Sequence, residues 1–323
     1  MKKVAIIYTG ETRTIKDTIT LFKNNVILNE NYHVFAVIQG NDIDFHNKLI
    51  NETIGENIKS LNWFNKNDDD WINLRETQLK KMSGCENWVA NYLRNSGSMI
   101  EYYQMYLAYN SLVDYENKHN IKYDYVLRFR TDTVMKDKLD FDTIFDFDKE
   151  YVKNLLYKIK VLNNLENITS FNVLNILMGV FYNEKRLYYK NTNYDKNKVS
   201  VKVIKLLEIS DENEYIEALT EYLKNGNYII TLRENVIYFM KRELMNHVNI
   251  LGITYGDYKI GNDAYWWNAE SQLKTISYNN NIDFYGSVSE LECASLYSYN
   301  HVNYYDENKN LLNADFSFFI KRY

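Results

Sequence analysis

The residues from Arg128 to Thr133 combine two guanidinium groups with one carboxylate. The apolar stretch before them predicts a β-strand, in which Arg128 and Arg130 point to the same face because side chains alternate. Asp132 follows the end of this strand, where open α/β sheets bind their ligands. Its carboxylate can bind Mg²⁺ or Mn²⁺ and so bridge to a phosphate, or it can form a structural ion pair with either arginine. We predict that Asp132 has a ligand-binding role.

A second candidate site follows the first apolar run of the chain, Val4–Tyr8. Thr9 and Gly10 come directly after this run, and Arg13 lies three residues further on. A glycine lets a nucleotide approach the backbone closely, and an arginine can reach its phosphates or the edge of its base. The segment contains neither G-x-G-x-x-G nor G-x-x-x-x-G-K-[ST], so it indicates neither a dinucleotide-binding fingerprint nor a P-loop.

A third group of candidate residues lies between residues 263 and 272. Trp266 and Trp267 can pack against the apolar faces of sugar rings, and Asn268 can bind their hydroxyl groups. Glu270 or Asp263 can act as the general base that deprotonates an acceptor hydroxyl. The alternative is the start of a helix that has one of the two tryptophans in the core.

Two literal D-x-D strings compete with Asp132 as metal-binding motifs. They are Asp140-Phe141-Asp142 and Asp146-Phe147-Asp148, and no apolar strand precedes them. We interpret them as a surface segment whose phenylalanines point inward.

The elements that would position these residues are strands that are apolar on both faces. Val4–Tyr8, Val34–Ile38 and Tyr125–Phe129 read as such strands, and Tyr228–Leu232 as a further one. A long helix is predicted over residues 98–119. We therefore predict an α/β fold with a mostly parallel, Rossmann-like central sheet, helices on both faces, and the first three strands adjacent within it.

Composition excludes several classes of protein. The chain has 323 residues and a net charge of −5 without a basic stripe, so nucleic acid is not expected as a partner. Cys85 and Cys293 form no metal-ligand spacing, and no apolar run is long enough for a signal peptide or a membrane span. We expect a cytoplasmic protein without a membrane span.

Three segments together resemble a known family. Val4–Thr14, Tyr123–Thr133 and Tyr265–Leu273 are similar to glycosyltransferases with the GT-A fold, as found in bacterial surface-polysaccharide clusters and in large DNA viruses. The resemblance implies that the G-x-x-R loop lies under a nucleotide, that Asp132 stands at the metal-binding D-x-D position, and that the late helix lies on the acceptor side. Arg130 stands where the first aspartate of D-x-D would be.

The function implied is the transfer of a sugar from a nucleotide-sugar donor to a hydroxyl acceptor such as a glycan, with Mn²⁺ or Mg²⁺ at Asp132. One domain, 1–323, is expected, with a nucleotide-binding half up to about residue 140 and a helical, acceptor-side half over 141–323. The residues expected to bind the donor are Thr9, Gly10, Arg13, Arg128, Arg130 and Asp132.

Two other functions remain open. A sugar-nucleotidyltransferase also begins with a strand followed by G-x-x-R, although its loop is richer in glycine, whereas this loop has one glycine and Glu11. A noncatalytic protein that binds nucleotide-sugar or carbohydrate is the other alternative. Release of pyrophosphate would identify the first, and ligand-dependent stabilisation without turnover the second.

Overall fold

The computed structural model describes residues 1–81, 97–135, 138–144, 147–162, 205–206, 208–233, 236–248, 273, 277, 280–285 and 318–320. A central sheet of seven strands runs through this part of the chain. Its strands are β1 (Val4–Glu11), β2 (Tyr32–Gln39), β3 (Ile58–Trp63), β4 (Tyr125–Arg130), β6 (Tyr228–Arg233), β7 (Ile237–Lys241) and β8 (Asp283–Tyr285). A separate pair joins β5 (Thr133–Met135) to β9 (Phe318–Ile320).

The strand order in the sheet is β3-β2-β1-β4-β7-β6-β8. β1 pairs in parallel with both β2 and β4, so the three strands predicted to be neighbours are adjacent. β7 pairs antiparallel with both β4 and β6, and the remaining pairs are parallel. The predicted fold class, a mostly parallel Rossmann-like sheet, is therefore confirmed.

Helices cover both faces of the sheet, as predicted. They are α1 (Ile15–Asn25), α2 (Ile43–Ile54), α3 (Asp69–Lys81), α4 (Gly97–His119), α5 (Phe141–Ile144), α6 (Lys149–Leu162), α7 (Glu212–Asn225) and α8 (Met245–Val248). One apolar core lies under α1, α2, α6 and α7, and the other under α3, α4 and α8. None of the helices in the described ranges is long and apolar enough to cross a membrane.

β1 shows why an unbroken apolar run belongs in the middle of such a sheet. Val4, Ile6 and Tyr8 point into the core under α1, whereas Ala5 and Ile7 point into the core under α4. All five are completely buried, because each face of a parallel sheet is covered by helices. The strand therefore has no solvent-facing side on which a polar residue would be favoured.

α4 begins at Gly97, one residue before the predicted start, and ends at His119 as predicted. Its buried apolar stripe consists of Met99, Tyr102, Met105, Ala108 and Leu112 at the three- and four-residue spacing of a helix. Tyr106 and Tyr109 are only half-buried. α4 runs from the carboxyl edge of the sheet back to its amino edge, so its first turns lie near the end of β4.

Candidate functional site

A cavity of about 900 Å³ opens at the carboxyl ends of β1, β2 and β3. Its walls are residues 11–13 and 16, 39–43 with 45 and 46, and 63–67, which are the segments that follow these strands. The cavity lies in the size range of small-molecule sites, about 300–1,000 Å³. It also lies at the edge where open α/β sheets bind their ligands. The cavity is therefore the first candidate for a ligand site.

Two glycines allow the strand ends at this edge to pack closely. Gly10 has a φ of +146°, and a β-carbon added there would lie 2.3 Å from Oγ1 of Thr131. A β-carbon on Gly40 would lie 2.0 Å from Oγ1 of Thr12. Both distances are far shorter than any real β-carbon contact. Glycine at these positions thus brings the end of β1 against the ends of β4 and β2, and the side chain that lies closest to Gly10 is that of Thr131.

The cavity wall carries more cations than anions. Arg13, Lys16 and Lys66 line it, together with the carboxylates of Glu11 and Asp42. Arg13 Nε lies 3.4 Å from Glu11 Oε2, and about half of each side chain is exposed, at 52% and 51%. An exposed pair of this kind stabilises the fold by only about 0–1 kcal/mol. The pairing with Glu11 therefore does little to prevent Arg13 from binding a phosphate.

Two exposed apolar side chains line the same cavity as these cations. Ile43 and Phe45, in the first turn of α2, line the cavity although they are 45% and 57% exposed. Covering an exposed apolar ring removes its surface from water, which is favourable for a ligand that binds there. Stacking of a base on such a ring contributes about 1–3 kcal/mol. An exposed phenylalanine beside three cations is thus suited to a ligand with a planar apolar part and an anionic part.

Two further cavity residues hold the scaffold. His46 Nδ1 lies 3.1 Å from the carbonyl oxygen of Asn41 and 3.0 Å from that of Asp42. Because carbonyl oxygens only accept hydrogen bonds, Nδ1 of His46 carries a proton. The Trp63 indole Nε1 donates to Oδ1 of Asn47 at 2.7 Å. These bonds fix the loop after β2 and tie β3 to α2, so the wall is shaped before a ligand arrives.

The end of β4 carries a separate cluster of charged side chains. Arg130 donates from Nε to Oδ1 of Asp132 at 3.0 Å and from Nη2 to Oδ2 at 2.7 Å. Arg130 Nη1 also lies 3.2 Å from Oε1 of Glu101, and Arg128 Nη2 lies 3.3 Å from the same oxygen. Of the two ion pairs considered for Asp132, the one with Arg130 is present. The direct partner of Arg128 is Glu101, on α4.

Burial determines how these four charges behave. Arg128 is 1% exposed, and its Nη1 donates to the carbonyl oxygen of Phe129 at 2.8 Å. Burial lowers the pKa of Arg128, while the carboxylate of Glu101 opposes that shift. The guanidinium nevertheless remains charged, because an arginine side chain is not deprotonated in proteins. The charge of Arg128 therefore requires Glu101, which was not identified from the sequence.

Asp132 is held in place by the backbone around Thr131. The Thr131 amide donates to the carbonyl oxygen of Thr9 at 3.1 Å, and its hydroxyl donates to that of Glu11 at 2.8 Å. Thr18, on α1, donates its hydroxyl to the carbonyl oxygen of Thr131 at 2.6 Å. The turn after β4 is thereby attached to β1 and α1, and the Asp132 side chain is only 5% exposed.

The divalent cation expected at Asp132 is not supported by the side chains around it. Both oxygens of Asp132 accept hydrogen bonds from Arg130, so a cation at this carboxylate would lie next to a guanidinium that already neutralises its charge. Within the described ranges, no group of three or more His, Cys, Asp or Glu side chains could hold a metal ion. The carboxylate of Asp132 is thus already paired with a positive charge, that of Arg130.

The charged cluster and the cavity are connected through α4. Gln104 follows Glu101 by one helical turn and is 2% exposed. Its side-chain amide donates to Oε1 of Gln39 at 3.3 Å. Gln39 ends β2 and lines the cavity. The two groups of residues therefore share one edge of the sheet, with the first turns of α4 between them.

The structure separates the residues that the sequence predicted to bind the donor. Arg13 lines the cavity, and Arg130 with Asp132 forms the charged cluster. Thr9 is completely buried within β1. Its side chain and that of Arg128 therefore present no surface to a ligand. Asp263, Trp266, Trp267, Asn268 and Glu270 lie outside the described residues.

Several residues of the site were missed by sequence reasoning. Lys16 and Phe45 were not predicted, because nothing in their local pattern distinguishes them from ordinary helix residues. The sequence did indicate that a residue like Glu101 is needed, because two arginines on one face of a buried strand require a carboxylate partner. That signal gives the type of the partner but not its position.

Comparisons with known proteins add little to this description. No protein-family model matches the sequence, and no curated protein matches it significantly. Among solved structures, the chain is similar to core-mannan synthase A of Aspergillus fumigatus in an Mn/GDP form. The TM-score is 0.33 at 12% identity, and the match covers 86% of this chain and 70% of that chain. A likeness at this TM-score carries no argument, so the fold assignment is based on the sheet itself.

Proposed function

We propose that the chain is a glycosyltransferase of the GT-A type, which binds a nucleotide-sugar and transfers its sugar to a hydroxyl acceptor such as a glycan. The observation that carries this proposal is the cavity at the carboxyl ends of β1–β3. It combines an exposed phenylalanine with three cations. A nucleoside diphosphate has the matching chemistry, with a planar base at one end and two phosphates at the other.

The donor is proposed to lie along the edge of the sheet. Its base covers Phe45, its phosphates contact Arg13 and Lys16, and its sugar points toward the end of β4. This direction is supported by the position of β4, which is the neighbour of β1 on the side away from β2. It also brings the bond to be broken close to the positive charge of Arg130, which would stabilise the departing diphosphate.

The chemical step requires a base and an acceptor site. In the proposed reaction, the acceptor hydroxyl oxygen bonds to the anomeric carbon, the bond from that carbon to the diphosphate breaks, and the hydroxyl proton passes to a carboxylate. Glu270 is the proposed base, with Asp263 as its rival, and Trp266, Trp267 and Asn268 are proposed to hold the sugar or the acceptor. These assignments are based on the residue types and on the family resemblance.

The products of the reaction test this function. Incubation with nucleotide-sugars and glycan acceptors should release nucleoside diphosphate, whereas a nucleotidyltransferase would release pyrophosphate from a nucleoside triphosphate and a sugar phosphate. Glu270→Gln should lower turnover about 10²–10⁴-fold, as expected for loss of a general base. The matched control is Asp263→Asn, which also replaces a carboxylate by an amide.

The two variants distinguish the possible bases. If Glu270→Gln turns over at the wild-type rate while Asp263→Asn does not, Asp263 is the base. Release of pyrophosphate, or stabilisation by donor without any turnover, would contradict the proposed function.

A further inference from the structure

We propose that Asp132 is a positioning residue for Arg130, and that the Arg130 guanidinium takes the place of a divalent cation in holding the diphosphate. This inference rests on the proposed function, because a nucleoside diphosphate is the ligand concerned. It assigns to Asp132 a role different from that of the metal-binding aspartate implied by the family resemblance.

Carboxylates hold the Arg130 guanidinium at two of its edges. Both oxygens of Asp132 accept from Arg130, through Nε at 3.0 Å and Nη2 at 2.7 Å. Glu101 lies on the other side of the same guanidinium, 3.2 Å from Nη1. A planar group held at two edges cannot rotate, so its orientation is set before a ligand binds. Arrangements of this kind are typical of residues that are preorganised to stabilise charge.

Arg130 is more accessible to a ligand than Asp132 is. The side chain of Asp132 is 5% exposed, whereas that of Arg130 is 20% exposed. A ligand that approaches from solvent therefore meets the guanidinium before it meets the carboxylate. This order is the reverse of what a metal site needs, since its carboxylates have to face the cation and the ligand beyond it.

The positive and negative charges of this cluster are equal in number among the described residues. Arg128 and Arg130 contribute two positive charges, and Glu101 and Asp132 contribute two negative charges. A site built to bind a dication has an excess of carboxylates, whereas the described residues of this cluster have equal numbers of positive and negative charges. Arg130 also stands two residues before Asp132, where a D-x-D motif would provide its first carboxylate. At position 130 the chain thus has a positive charge where a D-x-D motif has a metal ligand.

The first experiment uses the metal alone. Mn²⁺ binding is measured by calorimetry on the wild-type chain and on Asp132→Asn, which keeps the volume of the side chain. We expect the two proteins to bind Mn²⁺ with the same affinity within about twofold, a difference of under half a kcal/mol by the usual conversion. If the wild type binds Mn²⁺ and Asp132→Asn loses tenfold or more of that affinity, the inference is wrong.

Asp132→Asn removes half of a buried ion pair, so its folding has to be checked by circular dichroism. Arg130→Asp is a second variant, which restores the D-x-D spacing. A folded Arg130→Asp protein should bind Mn²⁺ at least about tenfold more tightly than the wild type, because it places two unpaired carboxylates at the site. An affinity equal to that of the wild type would contradict the inference, whether or not Asp132→Asn folds.

The second experiment measures the binding of UDP and GDP in EDTA and in excess Mn²⁺. We expect the wild type to bind each nucleotide with the same affinity in EDTA and in Mn²⁺, within about threefold. Arg130→Lys should lose about tenfold in nucleotide affinity, because lysine cannot form the two-pronged contact with Asp132 that orients the guanidinium. Tenfold weaker binding of the wild type in EDTA would overturn the inference but leave the proposed function standing. If neither nucleotide binds under either condition, the proposed function fails instead, and the Mn²⁺ titration still decides the role of Asp132.

Discussion

At the scale of single residues, the most informative position is Asp132. The sequence predicted that it follows a buried strand, and it lies directly after β4. The sequence also left Arg128 and Arg130 as possible partners of Asp132, and the structure shows that the partner is Arg130. The missing information was the position of Glu101, which lies 3.3 Å from Arg128 and 3.2 Å from Arg130 and so connects the two arginines. Contacts between residues 27 positions apart do not follow from local spacing.

Phe45 gives the residue-scale prediction. Phe45→Ala should weaken the binding of a nucleotide-sugar by about 1–3 kcal/mol, the contribution of one stacked base. The free energy of unfolding should change by less than about 0.5 kcal/mol, because the ring is largely in water. Calorimetric titration and urea denaturation measure the two quantities.

Tyr157→Ala is the matched control for Phe45→Ala, since Tyr157 is an aromatic residue that is 40% exposed on α6 and does not line the cavity. It should leave nucleotide-sugar affinity unchanged. Equal affinity in the two variants would show that Phe45 does not contact the base.

At the scale of secondary structure, the sequence was most reliable where burial dictates composition. β1, β2 and β4 are apolar on both faces, and this is what places them in the middle of a parallel sheet. β3 and β7 were not predicted. β3 is an edge strand with partly exposed, polar residues, and β7 is apolar but its antiparallel direction depends on the turn that connects it to β6. Strand direction is set by connections rather than by the strand's own residues.

A buried ion pair between Glu116 and Arg242 lies at the amino edge of the sheet and attaches α4 to it. Glu116, near the end of α4, is completely buried and accepts from Arg242 at 3.1 and 2.7 Å. It also accepts from the backbone amide of Tyr123 at 3.2 Å. The guanidinium of Arg242 lies over the ring of Tyr109 at 5.0 Å. These contacts join α4 to the start of β4 and to the turn after β7.

Glu116→Gln should therefore lower the free energy of unfolding by on the order of 3 kcal/mol, because it leaves the buried charge of Arg242 without its partner. Lys122→Ala is the matched control. Lys122 lies 3.6 Å from the same carboxylate but is 78% exposed, so its loss should cost under about 1 kcal/mol. Urea denaturation measures both values.

A measurement of nucleotide-sugar affinity shows whether the Glu116–Arg242 ion pair is independent of the candidate site. Glu116 lies at the edge of the sheet opposite the cavity, so folded Glu116→Gln should bind nucleotide-sugar like the wild type. Equal stability losses in Glu116→Gln and Lys122→Ala would contradict the assignment of a buried ion pair.

At the scale of the whole molecule, the candidate site is an assembly of three strand ends. The sequence predicted one of its walls, the segment after β1 that contains Arg13. It did not predict the walls after β2 and β3, because the residues that form them, such as Phe45 and Lys66, acquire a common location only when the sheet forms. The fold class could thus be predicted from periodicity, whereas the composition of the site depends on strand order.

The measurement that tests the central proposal most directly is a thermal-stability screen of nucleotide-sugars on the wild type, Arg13→Ala and Lys48→Ala. Lys48 is the matched control, because it is an exposed cation on α2 that pairs with Glu52 and does not line the cavity. At 100 times its dissociation constant, a bound donor should stabilise the wild type and Lys48→Ala by about 2.7 kcal/mol. At the same donor concentration, Arg13→Ala should be stabilised much less, while melting like the wild type without donor. If no nucleotide-sugar stabilises the wild type, or if Arg13→Ala responds as strongly as Lys48→Ala, the cavity is not a nucleotide-sugar site.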